Sequence, residues 1–177
     1  MLITSAYFRS MPEHTRELSG QSEKVVHLDI DSERFAKLLR FLNDGPEARA
    51  GLDWSSLEAI ADTSDRYQFD IVPELVARCA VSVLRDDRHT YSEPLSIFRF
   101  AAQNDFYDLA KFALLFCYAT ELQGTKHLRE VRCQWFDGVS GRYVAALLSA
   151  MATSGDGDDC WDWRLISAEF DVNDTEE

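Results

Sequence analysis

Between Lys24 and Ile30 the chain alternates strictly: Val26, Leu28 and Ile30 fall on one face, Val25, His27 and Asp29 on the other. That is the period-two pattern of a half-buried strand. A lone strand is not a stable object, because its backbone donors and acceptors need partners and even an isolated hairpin is marginal in water. No other convincing strand lies within pairing distance, so the segment demands a partner that the neighbouring sequence does not supply. It runs directly into a helical pattern. Asp31 is placed to cap a helix, Glu33 suits its positive end, and Phe35, Leu38, Leu39 and Leu42 follow at helical spacing. Gly45 and Pro46 stop it. With Leu39 on the buried face, Leu39→Asp is expected to unfold the chain.

Downstream, helical periods dominate. Ser55 and Glu58 form a capping box ahead of Leu57, Ile60, Ala61 and Tyr67. Asp70 caps the next segment, Pro73 fits its first turn, and Leu75, Cys79 and Val83 run along one side to about Arg85. A polar connection, Arg85 to Glu93, leads to a helix opened by Ser92 and Pro94 and carrying Leu95, Phe98, Ala101 and Ala102. The stretch from Asp108 to Leu122 is apolar enough to predict a helix buried nearly all round. Leu128 to Trp135 fits either period and is taken as helix. Asp137 to Gly141 reads as a turn, Tyr143, Val144, Leu147, Leu148 and Met151 as a final amphipathic helix, and Ser154 to Asp159 as a linker. Beyond it Trp161, Trp163 and Leu165 alternate with polar residues, the pattern of a short strand or a docking peptide, with packing back on the body as the alternative.

At 177 residues and 46% hydrophobic, the chain can build a real core, burying roughly 70% of its unfolded surface. The net charge of -13 lacks the cationic excess that phosphate binding needs, which argues against nucleic acid and anionic membrane as partners. Residues 155–177 hold nine acids against one Arg, net -8, leaving -5 for the rest. Four dispersed cysteines, Cys79, Cys117, Cys133 and Cys160, show no C-x-x-C spacing and suggest reduced thiols. Met1 to Met11 lacks a signal-peptide pattern, and the longest apolar run, Phe112 to Ala119, is far short of the ~20 residues of a membrane span. A cytoplasmic or nuclear location is the expectation.

Catalytic signals are weak. His14, His27, His89 and His127 fit no zinc spacing, so no metal is expected. Cys79 has His89 ten residues on, yet it lies on an apolar stripe, where a thiol behaves as a small hydrophobe. Asp156 to Asp159 lacks the alternating order of a calcium loop, and no phosphate loop or nucleophile elbow is present. No catalytic residue, metal or cofactor is assigned.

The order of these pieces resembles the BTB/POZ domain. Ser5, Phe8 and Met11 match its S-x-x-F-x-x-M helix end, and Val25 to Asp31 its strand. Phe35, Leu38, Leu39, Phe41 and Gly45 match the central helix. Ala61, Asp62, Tyr67, Leu75, Cys79 and Leu84 match the A-D-x-Y segment and terminal helix. The match spans residues 2–86. It departs at Asn43–Asp44–Gly45, where the family has Tyr-Thr-Gly, and in the additional stretch at Thr63–Ser64. Residues 92–151 resemble the BACK-type helical extension.

The resemblance implies an α+β, mainly helical fold. Residues 1–88 would form a core lacking its first strands, 89–153 a helical BACK-like extension and 154–177 an acidic linker and tail. The strands that pair with Val25 to Ile30 would lie before Met1 or come from another chain. The implied function is a non-enzymatic adaptor or scaffold that binds a protein partner, with self-association through the edge at Val25, His27 and Asp29. Trp161 and Trp163 are further candidate contacts. Many BTB proteins engage cullin scaffolds through the loop after the first helix, here Pro12 to Lys24. The contact would fall on Phe8, Met11, Arg16, Glu17 and Leu18, but Arg16 stands where an apolar anchor is needed, so weak or no cullin binding is expected. The alternatives are a small thiol-dependent enzyme using Cys79 or Cys133, and a truncated helical fragment without independent function.

Overall fold

The computed structural model describes residues 31–86, 93–117, 136–154 and 161–172. Helix α1 (Ser32–Asn43) begins where Asp31 accepts a hydrogen bond from the Glu33 amide at 2.8 Å. It ends at Asp44, whose amide bonds back to the Arg40 carbonyl. Cap and stop agree with the sequence, but the phase does not. Leu38, Phe41 and Leu42 are buried while Leu39 is 41% exposed. The reason is Phe41: a face through Leu38 and Leu42 takes its ring out of water, whereas a face centred on Leu39 leaves it there.

Pro46 opens a short helix, α2 (Pro46–Ala50), at a first position where no amide is missed. From α2, Arg49 folds back over the end of α1. Its Nε donates to the Phe41 carbonyl at 2.7 Å and its terminal nitrogen to the Leu42 carbonyl at 3.0 Å. Its guanidinium also lies 5.3 Å from the Phe41 ring centroid. A cation thus satisfies carbonyls that the helix end leaves open.

Helix α3 (Trp54–Arg66) is capped by Asp53 rather than by Ser55. Asp53 accepts from the Ser56 amide at 2.8 Å, and the Ser55 hydroxyl donates to the same carboxylate at 3.1 Å. A charged acceptor at the positive end of the dipole outcompetes a hydroxyl. The predicted stripe holds: Leu57, Ile60, Ala61 and Tyr67 are all buried. Thr63 and Ser64 are buried too, with hydroxyls bonded to the carbonyls of Ala59 and Ala61. The helix closes with Gln68 at φ 54° and the Phe69 amide reaching back to the Ser64 carbonyl at 3.0 Å, a Schellman-type end made without glycine. α1 packs on α3, with Phe35 edge-on to Tyr67 at 5.7 Å. Helix α4 (Val72–Arg85) buries Val72, Val76, Cys79, Ala80, Val83 and Leu84.

The chain divides into two compact units between Cys79 and Ala80, within α4. In the C-terminal unit α5 (Glu93–Gln103) packs along α6 (Tyr107–Leu114), and α8 (Trp163–Glu169) packs on both α6 and α7 (Gly141–Ser154). Leu95, Phe98, Ala101 and Ala102 are buried as predicted, as are Tyr143, Leu147 and Met151. The continuous helix expected from Asp108 to Leu122 is corrected. α6 ends at Leu114 and Leu115 is exposed, while residues 118–122 lie outside the described residues.

The α+β class is also corrected. Among the described residues all eight regular elements are helices and no strand occurs, so a BTB/POZ-like core built on strands is not what they form. The strand expected at 25–30 and the helix at 128–135 lie outside the described residues. The alternation at Trp161–Leu165, which suggested a strand, is resolved as the start of α8. Asp162 caps it by accepting from the Arg164 and Leu165 amides at 3.0 and 3.2 Å. Trp163, Ile166, Ser167 and Phe170 are buried at helical spacing. A five-residue alternation is too short to override that longer period.

Candidate functional site

The residues singled out from the sequence as partner contacts separate into two groups. Phe8, Met11, Arg16, Glu17, Leu18, Val25, His27 and Asp29 lie outside the described residues. Trp161 is half-buried, and Trp163, at the first turn of α8, is buried inside the C-terminal unit. Trp163 is therefore internal packing and not a free docking side chain.

Of the two proposed nucleophiles, Cys133 lies outside the described residues, and Cys79 is a buried free thiol on α4. Burial pushes the Cys79 thiol up from its ordinary pKa, opposed only in part by the charge of Arg49. Cys117 is buried as well, its ionisation strongly disfavoured, and its sulfur lies 3.6 Å from the Ala113 carbonyl. A nucleophilic cysteine needs the opposite environment, one that favours the thiolate. Among the described residues no group of three or more His, Cys, Asp or Glu could hold a metal ion, and no helix is long and apolar enough to cross a membrane.

The polar chemistry that the fold does bring together lies in the C-terminal unit. The turn between α5 and α6 places Asp105 at φ 60°, with the Phe106 amide bonded to the Ala101 carbonyl at 2.8 Å. Aspartate tolerates this left-handed conformation better than most residues. Its carboxylate then meets the first turn of α7, accepting from the Arg142 guanidinium and from the Tyr143 hydroxyl, the latter at 2.9 Å. The Tyr143 bond, then the Arg142 bond, holds the Asp105 carboxyl below its usual range. Burial first, then the Asp105 contact, pushes Tyr143 up to about 12. The pair ties the α5–α6 turn to α7.

A second tie holds α8. The Tyr107 hydroxyl donates to the Phe170 carbonyl at 2.9 Å, and Lys111 Nζ donates to the carbonyls of Ala168 and Phe170 at 3.3 and 3.2 Å. The Ser167 hydroxyl donates to the Lys111 carbonyl at 2.8 Å. A lysine at a helix C-terminus meets the negative end of the dipole as well as open carbonyls. Phe170 completes the arrangement, its ring stacked on Tyr107 at 5.9 Å, edge-on to Phe98 at 5.9 Å and 6.1 Å from Tyr143. The sequence held one signal for this site, Asp162 followed by Trp163, Ile166 and Phe170 at helical spacing. The roles of Tyr107 and Lys111 had none, because their partners are carbonyls 59 or more residues away in the case of Phe170.

No protein-family model matches the chain, and neither a curated protein nor a solved structure matches it.

Proposed function

We propose that the chain acts as a non-enzymatic protein-interaction module, an adaptor or scaffold that presents helical surfaces to a protein partner. The observation that carries this reading is the position of Leu39. It stands 41% exposed in the middle of α1, on a helix whose inward face is already supplied by Leu38, Phe41 and Leu42. The same helix carries the Glu33–Lys37 ion pair at 2.9 Å and the exposed Arg40. A leucine held out by a regular helix among charges of both signs supplies an apolar contact point with a polar surround. The buried Cys79 thiol, with its ionisation disfavoured, supports a binding role over a thiol-dependent one. The proposal rests on this surface and not on the BTB/POZ resemblance, whose strand-based core the described residues do not form.

Sedimentation velocity on the full chain and on a Leu39→Glu variant tests it, together with the rate of thiol labelling at Cys79. The module reading expects concentration-dependent association that weakens in the variant without a change in melting temperature. It also expects Cys79 to label only as fast as the structure opens. A chain that stays monomeric at high concentration and labels rapidly at Cys79 near neutral pH overturns the reading in favour of a thiol enzyme.

A further inference from the structure

Seven of the eleven residues of α5 are buried, which leaves one narrow polar stripe at helical spacing: Glu93, Ser96, Arg99 and Gln103. Ser96 and Arg99 are half-buried, and Gln103 at the far end is exposed. The turn ahead of α7 lies against that end. The Gln103 amide nitrogen is 2.7 Å from where a Cβ on Gly138 would stand, and Gly138 itself is held at φ 77°, so only glycine fits there. Backbone therefore borders the stripe one turn beyond Arg99.

The guanidinium of Arg99 is incomplete. Its Nε is out of water and has no hydrogen-bond partner, and among the described residues Arg99 makes no ion pair. An arginine that only lays its stem along apolar surface keeps its head wet, whereas here part of the head is withdrawn from solvent. Native structures pair nearly all such buried donors, because an unmet one loses its hydration without compensation. Arginine has donors and no acceptor, so whatever completes it must accept. Its Nε and a terminal nitrogen point side by side and match the two oxygens of a planar anion.

We propose that Arg99 anchors a carboxylate-binding site on the polar stripe of α5, taking the ligand side-on through Nε and a terminal nitrogen. A carboxylate fits better than a phosphate, since one negative charge balances one guanidinium and a second would stand unpaired at a half-buried site of a chain whose net charge is already -13. The site lies in the C-terminal unit and does not rest on the Leu39 surface, which belongs to the N-terminal one.

The test follows the Arg99 Nε–H resonance of the full chain labelled with nitrogen-15 arginine, assigned by its loss in Arg99→Lys. Sodium acetate is titrated against sodium chloride at constant ionic strength, with sodium phosphate and a terminally blocked peptide carrying one glutamate as further arms. Acetate should move the resonance saturably and chloride should not; saturation by the glutamate peptide at lower concentration than acetate identifies the carboxylate as a protein side chain, and the reverse order as a small free acid. Arg99→Met, which removes the unmet donor, should melt higher than the wild type in chloride and should lose the part of the acetate-induced rise in Tm that depends on the guanidinium. The titration of the wild type decides the matter if that variant does not fold. A resonance that neither acetate nor the peptide moves beyond chloride overturns the proposal and leaves water as the occupant. Saturation by phosphate at lower concentration than by acetate overturns the choice of a carboxylate.

Discussion

The two units of this chain are fastened by different means. In the N-terminal unit the side-chain bonds at Asp31, Asp53 and Arg49 reach two, three and eight residues along the chain. In the C-terminal unit Tyr107 reaches Phe170 across 63 residues, Ser167 reaches Lys111 across 56 and Tyr143 reaches Asp105 across 38. A local bond finishes the end of one helix and says little about where that helix goes. A distant one closes a long loop, and its loss is felt by every element the loop connects. Among the described residues, these side-chain bonds of the N-terminal unit finish helix ends, whereas those of the C-terminal unit tie distant elements together.

Phe170→Ala is expected to break the comparison most visibly. Its ring is fully buried against Phe98, Tyr107 and Tyr143, and removal of a buried phenylalanine typically costs about 3–5 kcal/mol. Amide exchange should rise across α6, α7 and α8 together. If only α8 exchanges faster, the tie is local after all and the two units are held alike.

The Asp105–Tyr143 pair adds a pH signature to the C-terminal unit. Asp105 is depressed, so its contribution is present above its unfolded value, about 4, and is lost as pH falls through the lower folded value. Tyr143 is raised, so its contribution is present below about 10 and is lost as pH rises toward about 12. Asp53 is depressed too, chiefly by hydrogen bonds from Ser56, which gives the N-terminal unit an acid limb of its own. Burial raises Cys79 in the N-terminal unit as well, so the alkaline limb is assigned to the C-terminal unit through the Tyr143→Phe difference. Tyr143→Phe should cost about 1 kcal/mol near neutrality, the typical net value of a hydrogen bond, and flatten the alkaline limb of urea stability against pH. An unchanged alkaline limb would show that Tyr143 ionisation is not what burial and Asp105 oppose, and unchanged stability near neutrality would show that the hydroxyl contact contributes nothing.

In the N-terminal unit Asp53→Ala should cost about 1 kcal/mol as a lost helix cap, with the effect confined to the first turns of α3 in amide exchange. Ser55→Ala should cost less, because Ser55 only donates to the capping carboxylate. Equal costs would restore the capping box at Ser55 that the sequence suggests.

That contrast also marks what could be read from the sequence. Caps such as Asp31 and stripes such as Leu57–Ile60–Ala61 are local, and the sequence displays them. The Schellman-type end at Gln68 and the left-handed turn at Asp105 were hidden because these residues occupy positions where glycine is the usual marker. The Lys111 clamp was hidden for a deeper reason: a carbonyl leaves no trace in side-chain identity. Trp163 and Phe170 were legible as apolar residues, but alternation at Trp161–Leu165 drew the reading toward a strand. The candidate surface was misread for the same kind of ambiguity, since both Leu38 and Leu39 continue a helical stripe from Phe35 through Leu42.

The smallest expected effect is at Leu39 itself. The sequence pattern places it on the buried face of α1, where aspartate would unfold the chain. In the folded unit it is 41% exposed, and an exposed site away from caps and partners usually changes stability by no more than about 0.5 kcal/mol. Leu39→Asp should therefore melt with the wild type, whereas Leu38→Asp, one residue back and fully buried, should not fold stably because an unpaired carboxylate would enter the apolar core. The pair is measured side by side by circular dichroism. Its value lies in the asymmetry: equal destabilisation at both positions would mean that Leu39 is covered in solution. Folding at Leu39→Asp combined with lost association would instead assign the exposed leucine to a partner.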